Sequence, residues 1–218
     1  MSSDLQKLGG FSALIEAALY VTGFGLFLTV LDPSGYEGHV QKVEFLADNQ
    51  VALYVANLLI YVIFGVVLVV LAVALHARLK DSSPAVMLTA TAFGLIWAGL
   101  VIASGMIANI GNSTVVGLFS ESQDQAVLLW LAISTVQEAL GGGNEIVGGL
   151  WVLLLSWAAL QSGKLPKVLN YIGLLVGLAG ILTVVPGLGV LMDVFGLGQI
   201  VWFAWLGIVM LREKPSAP

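Results

Sequence analysis

The chain has 218 residues, of which 59% are hydrophobic and only 10% charged, and 13 acidic residues outnumber 8 basic ones for a formal charge of −5. A soluble domain carries roughly 45–50% apolar and about 25% charged residues. With a mean hydropathy of +1.01, a water-soluble fold is excluded and a polytopic membrane protein is implied.

A membrane-crossing helix needs roughly 20 mainly apolar residues to traverse about 30 Å of hydrocarbon. Six segments meet that demand, and the chain, 1–218, reads as a single integral membrane domain. The first span, 11–31, stops at Asp32-Pro33-Ser34-Gly35, a cluster that cannot continue a helix. Its apolar run exceeds the 7–15 residues usual for a signal-peptide core, so it is read as a retained helix. The second, 51–79, ends in Lys80-Asp81-Ser82-Ser83-Pro84, a connection short enough to force an antiparallel neighbour. The third, 85–110, leaves through Gly111-Asn112-Ser113. The fourth, 142–161, closes at Gly163-Lys164-Leu165-Pro166. The fifth, 168–185, is halted by Pro186-Gly187, and the sixth covers 190–211. These long, continuous runs lack the alternation of barrel strands, so the fold class is all-α, a transmembrane helical bundle.

Two stretches break the simple count. Between the first two spans, Val40, Val43, Glu44 and Ala47 recur at helical spacing and predict a short helix on the outer surface. Residues 125–163 would reach about 58 Å as one helix, too long for an upright span. The run Gly141-Gly142-Gly143 is the place for a break, because each glycine weakens a helix by about 1 kcal/mol relative to alanine. Residues 125–140 fit an interfacial helix, a re-entrant segment or an outward extension of span four, and the extension or interfacial helix is favoured. A seventh span would put the carboxyl terminus outside.

Orientation follows from the basic residues, which favour the cytoplasmic side. With the amino terminus inside, Lys7, Arg78, Lys80, Lys164, Lys167, Arg212 and Lys214 all lie there, leaving Lys42 alone outside. Both termini are therefore expected to be cytoplasmic. The outer loops then carry Asp32, Glu37, Glu44, Asp48, Glu121 and Asp124, a solvated acidic surface that would also raise the local concentration of cations.

The 26 glycines make up about 12% of the chain, against an average near 7%. Lipid tails provide no hydrophobic drive between helices, so small residues bring backbones close. Gly173, Gly177 and Gly180 form such a face on span five, with Gly94, Gly99 and Gly105 on span three and Gly148-Gly149 on span four. Packing within the bundle is the expected use, and a homodimer interface is the alternative.

Polar groups inside spans are costly and normally face the bundle interior. Glu16 lies about two turns into span one, and Glu138 and Glu145 are seven residues apart, on one stripe if their helix is continuous. Asn144 adjoins Glu145, and Asn57, Asn109, Asp193 and Gln199 complete the set. Glu145, Asn57, Asn109 and Asp193 all fall in the outer half, where a bundle could bring them together. Low dielectric disfavours a charged carboxylate, which makes Glu16 and Glu145 candidates to take up and release a proton. Glu, Asp and Asn oxygens also suit hard cations. The competing role is structural, a protonated carboxyl pinning two helices together for about 0.6 kcal/mol.

His76 fits interfacial anchoring at a helix carboxyl end, and His39 has no second ligand beside it. Trp130, Trp151, Trp157, Trp202 and Trp205 read as belt or packing residues. No Walker loop, nucleophile elbow, HExxH helix or basic nucleic-acid patch is present, so no cofactor, catalytic residue or nucleic-acid partner is predicted.

At 11–25, with Glu16 early in the first helix, and at 138–151, with Gly148-Gly149-Leu150-Trp151, the chain resembles a family of bacterial integral membrane proteins known only as a domain of unknown function. The resemblance covers most of the chain and implies a bacterial inner-membrane location. The expected role is a transporter or binding protein for a proton, cation or small molecule at an internal polar site. The alternative is a non-catalytic membrane subunit joined through glycine faces, and a membrane enzyme ranks third.

Overall fold

The computed structural model describes residues 3–142 and 145–212. Gly143, Asn144 and Lys214, singled out above, lie outside the described residues. Nine α-helices occur among them: α1 (Ser3–Thr29), α2 (His39–Asp48), α3 (Gln50–Asn57), α4 (Phe64–Leu79), α5 (Pro84–Phe119), α6 (Gln123–Gln137), α7 (Glu145–Ser162), α8 (Lys167–Leu182) and α9 (Leu191–Arg212). Two π-helical segments, Leu58–Ile63 between α3 and α4 and Glu138–Gly142 after α6, complete the set.

Helices α1, α4, α5, α7, α8 and α9 form a closed ring in chain order, each packed on its predecessor and α9 returning to α1. Glycine contacts give the directions. A Cβ on Gly9 would stand 2.6 Å from Ala74 of α4 and 2.7 Å from Met210 of α9, while one on Gly196 would meet Phe24 at 3.1 Å. Helix α1 is thus antiparallel to both neighbours. The alternation continues around the ring, so α1 begins and α9 ends at one end of the bundle, where the Gln6 amide donates to the Met210 carbonyl at 2.9 Å. We call this the basal end and the opposite one distal.

Five stretches are long and apolar enough to cross a membrane: Ser3–Thr29, Gln50–Leu79, Pro84–Phe119, Gln123–Ser162 and Leu191–Arg212. Helix α8 is as apolar but shorter, with 16 residues. Large apolar side chains point outward along the spans, with Leu88, Leu175 and Val201 at 67%, 68% and 53% exposure. Such surfaces are stable against lipid, not water. The protein is an all-α integral membrane bundle.

The core centres on three buried tryptophans. Trp97, Trp151 and Trp202 stand with successive ring centroids 5.8 Å apart, flanked by Phe64, Phe195 and Phe203. Glycine makes room for them: a Cβ on Gly94 would stand 2.6 Å from Trp151 Nε1, and one on Gly148 would be 2.9 Å from Trp97. Helices α7 and α8 approach more closely still, since a Cβ on Gly149 would lie 2.6 Å from the Gly177 carbonyl. Of the glycines read as packing faces, Gly94, Gly105, Gly148, Gly149, Gly173, Gly177 and Gly180 are used inside the chain, whereas Gly99 has open space beside it. The Gly10–Gly207 approach between α1 and α9 was not among those expected.

The end of the third span differs most from expectation. Helix α5 runs on to Phe119, past Gly111-Asn112-Ser113, and α6 folds back along the extension. Packing outranks the weak helix preference there: Gly111 takes Ile133 of α6 against its backbone, and Val43 and Leu46 of α2 join Val115 and Ala126 in a small distal core. The short helix expected before span four is therefore half of a distal hairpin, and the one expected in the outer loop is α2, packed on that hairpin. The turns do follow sequence. Gly163 and Gly187 adopt φ of +63° and +90°, a region that suits glycine, and Pro84 opens α5. In the loop after α1, the Ser34 amide and hydroxyl each donate to Asp32 at 2.9 Å, which holds that carboxyl below the usual carboxylate range.

Candidate functional site

At the distal end the ring opens around a cavity of about 380 Å³. Its walls are mostly apolar: Phe24 and Phe27 from α1, Phe64 from α4, Trp97 and Val101 from α5, and Phe195 from α9. The polar groups facing it are Tyr20, Tyr61, Glu145 and Asp193.

Each is placed by a local feature of the chain. Glu145 is the first residue of α7 and is 8% exposed. Tyr20 stands one turn beyond Glu16 on α1, packs on Phe64 at 5.4 Å, and lies within electrostatic range of both Glu16 and Glu145. Tyr61 belongs to the first π segment. Gly105 of α5 lets that segment press inward, because a Cβ there would stand 2.6 Å from Tyr61 Cβ. The second π segment arrives from the other side, where Gly141 packs against Ser104 and Tyr61. Ser104 donates to the Gln137 carbonyl at 3.0 Å and ties this segment to α5. Asp193 is exposed, at the first turn of α9.

The structure divides the residues expected to converge. Glu145 and Asp193 share the aromatic cavity. Asn57 and Asn109 instead pair with each other: the Asn57 amide donates to Asn109 Oδ1 at 3.1 Å, and Asn109 donates to the Tyr54 carbonyl at 3.3 Å. Asn57 lines an adjacent distal cleft of about 280 Å³ and Asn109 a smaller one beside it. Glu138 is exposed on the π segment, so it does not share the buried setting of Glu145. Asn144 lies outside the described residues. Glu16 is 0% exposed and sits below the cavity, toward the basal end, and neither of its carboxyl oxygens has a hydrogen-bond partner among the described residues. Gln199 is equally buried, with both side-chain amide atoms unpartnered among them. The register of α1 on α9 puts it near the level of Tyr20.

Sequence reasoning missed Tyr20, Tyr61, Trp97 and the phenylalanine wall. Tyr20 was legible in principle, four residues after Glu16 on the same helix face. Tyr61 was not, since its position depends on the π segment. Among the described residues no three His, Cys, Asp or Glu side chains are grouped as metal ligands.

The chain matches, over residues 8–209, a family described as a domain of unknown function, DUF4386, and belongs to it. No curated protein and no solved structure matches.

Proposed function

We propose that this is a six-span protein of the bacterial inner membrane, both termini cytoplasmic, that binds a small, largely apolar molecule in its outer half and serves as its transporter or receptor. The basal end carries Lys7, Arg78, Lys80, Lys164, Lys167 and Arg212, which supports placing that end in the cytoplasm. Helix α8, 16 residues or about 24 Å long, serves as the short fifth span.

The observation that carries the binding reading is a 380 Å³ cavity walled by aromatic rings with a single buried carboxylate, Glu145, on it. Concave, apolar sites with few polar groups are the usual form of small-molecule sites. Such a wall suits a molecule with an apolar body better than a bare hard cation, which needs several oxygens around it. Glu145 supplies the polar contact and exchanges a proton as the ligand enters and leaves. The subunit reading has less support, because most of the glycine faces it relies on are occupied within the chain.

The test uses protein in phosphatidylcholine nanodiscs titrated with ω-bromodecanol, whose bromine quenches nearby tryptophan. Saturable quenching is expected, because Trp97 lines the cavity, and Val101→Phe, which fills it, should remove the effect. Glu145→Gln keeps the shape and removes the ionisable proton, so it should fold normally and lose the pH dependence of binding. Quenching that never saturates, or that Val101→Phe leaves unchanged, refutes the site. An unaltered pH response in folded Glu145→Gln transfers the proton role to Glu16.

A further inference from the structure

We infer that the cleft beside the aromatic cavity holds the anionic head of an amphiphile on Lys42, with the apolar body passing Phe27 into the cavity. This rests on the reading of the aromatic cavity as a small-molecule site and specifies the class of molecule.

The cleft, about 280 Å³, lies between α2, α3, the extension of α5 and α6. Its chemistry differs from that of its neighbour: Lys42, Asn57, Asn112, Ser134 and Gln137 face it, beside Trp130. The two spaces adjoin. Phe27 forms part of both walls, and Gln137, on the cleft, lies beside Tyr61, on the cavity. A compartment with several polar groups thus lies directly against an apolar one, across the Phe27 side chain, which is the pairing an amphiphile requires.

Lys42 sets the sign of the head. It is the one lysine or arginine of the distal end, where Asp32, Glu37, Glu44, Asp48, Glu121 and Asp124 surround the mouth and Glu138, Glu145 and Asp193 lie on or near the cavity. Apart from Glu145 these carboxylates are exposed, whereas Lys42 is half-buried and lines the cleft. No ion pair of Lys42 occurs among the described residues, and the pair Lys164–Asp81 lies at the other end. An ammonium facing a cleft gains from an anion bound inside it. The amides and hydroxyl around it are neutral, so they can donate hydrogen bonds to that anion without competing for the lysine. A cationic head would be repelled by Lys42, and a neutral one would forgo the charge-assisted hydrogen bond.

The experiment compares ω-bromodecanoate with ω-bromodecanol in phosphatidylcholine nanodiscs, reading tryptophan quenching in wild type, Lys42→Gln and Lys42→Arg. The carboxylate is expected to bind about tenfold more tightly than the alcohol in wild type, the scale of one charge-assisted hydrogen bond. Lys42→Gln should abolish that preference while alcohol binding persists, and Lys42→Arg should keep it. Equal affinities in wild type, or a preference that survives Lys42→Gln, overturns the inference and leaves the cavity reading intact. Absence of saturable binding by either probe overturns both. Discs with added phosphatidylglycerol identify the source of the head: displacement of the carboxylate from wild type assigns it to a lipid, and undiminished binding assigns it to a free amphiphile.

Discussion

The two ends of the bundle use the same helices to opposite effect. At the basal end α4, α5 and α7 are tied by polar contacts across their connections: Arg78 donates to the Lys164 carbonyl at 2.7 Å, Lys164 donates back to the Arg78 carbonyl at 2.8 Å, and the Ser83 hydroxyl donates to Gln161. His76 Nδ1 lies 2.8 Å from the Thr91 hydroxyl, and Leu71, Leu75 and Leu79 are fully enclosed. At the distal end the ring parts around two π segments, an aromatic cavity and a polar cleft. One end is locked by packing and hydrogen bonds, and the other is open around two cavities.

Truncating leucines at the two ends should show the contrast most strongly. Leu75→Ala opens a void in enclosed packing and is expected to cost about 2–5 kcal/mol. Leu19→Ala, on the wall of the existing cavity, should cost roughly half as much, because part of its surface already faces open space. Thermal unfolding followed by tryptophan fluorescence compares the two, and equal losses would remove the distinction between the ends. Next in size is Arg78→Gln, which weakens the basal tie and is expected to cost about 1–3 kcal/mol without altering probe binding at the distal end. Asn57→Ala breaks the amide pair with Asn109 and should cost about 0.6 kcal/mol, the average for a hydrogen bond between helices in a membrane. A nanodisc titration should nonetheless register a change in cleft binding. The smallest effect is expected from Asp81→Ala. Its partner Lys164 is 3.8 Å away and both side chains are well exposed, so the loss should stay below about 0.5 kcal/mol.

Hydropathy and turn residues made the helical bundle, the breaks at Gly163 and Pro186-Gly187, and the buried setting of Glu145 legible from sequence. These depend on local composition or on the cost of a charge in lipid. The length of α5 was not legible, because Gly111-Asn112-Ser113 reads as an exit and only the packing of Ile133 and α2 keeps the helix going. The cavity was half legible. Its carboxylate stands out against apolar neighbours, but Trp97, Phe64 and Phe195 look like any other core residues until the ring brings them to one opening. Lys42 drew notice as the exception to the charge asymmetry, and its position on a cleft follows from the docking of α2 on the distal hairpin.

The π segments have a mechanical consequence. In such a turn each amide reaches back five residues instead of four, so one extra residue is lodged in the helix like a dislocation in a crystal row. A dislocation can migrate without melting the row. Shifting it by one residue through Leu58–Ile63 would turn the intervening side chains by about 100° around the helix axis, carrying Tyr61 away from Gly141 and regearing the wall between cavity and cleft. Amides of Leu58–Ile63 and Glu138–Gly142 should accordingly exchange with solvent deuterium faster than those of α4 and α7, and bound amphiphile should slow them by pinning the fault in place.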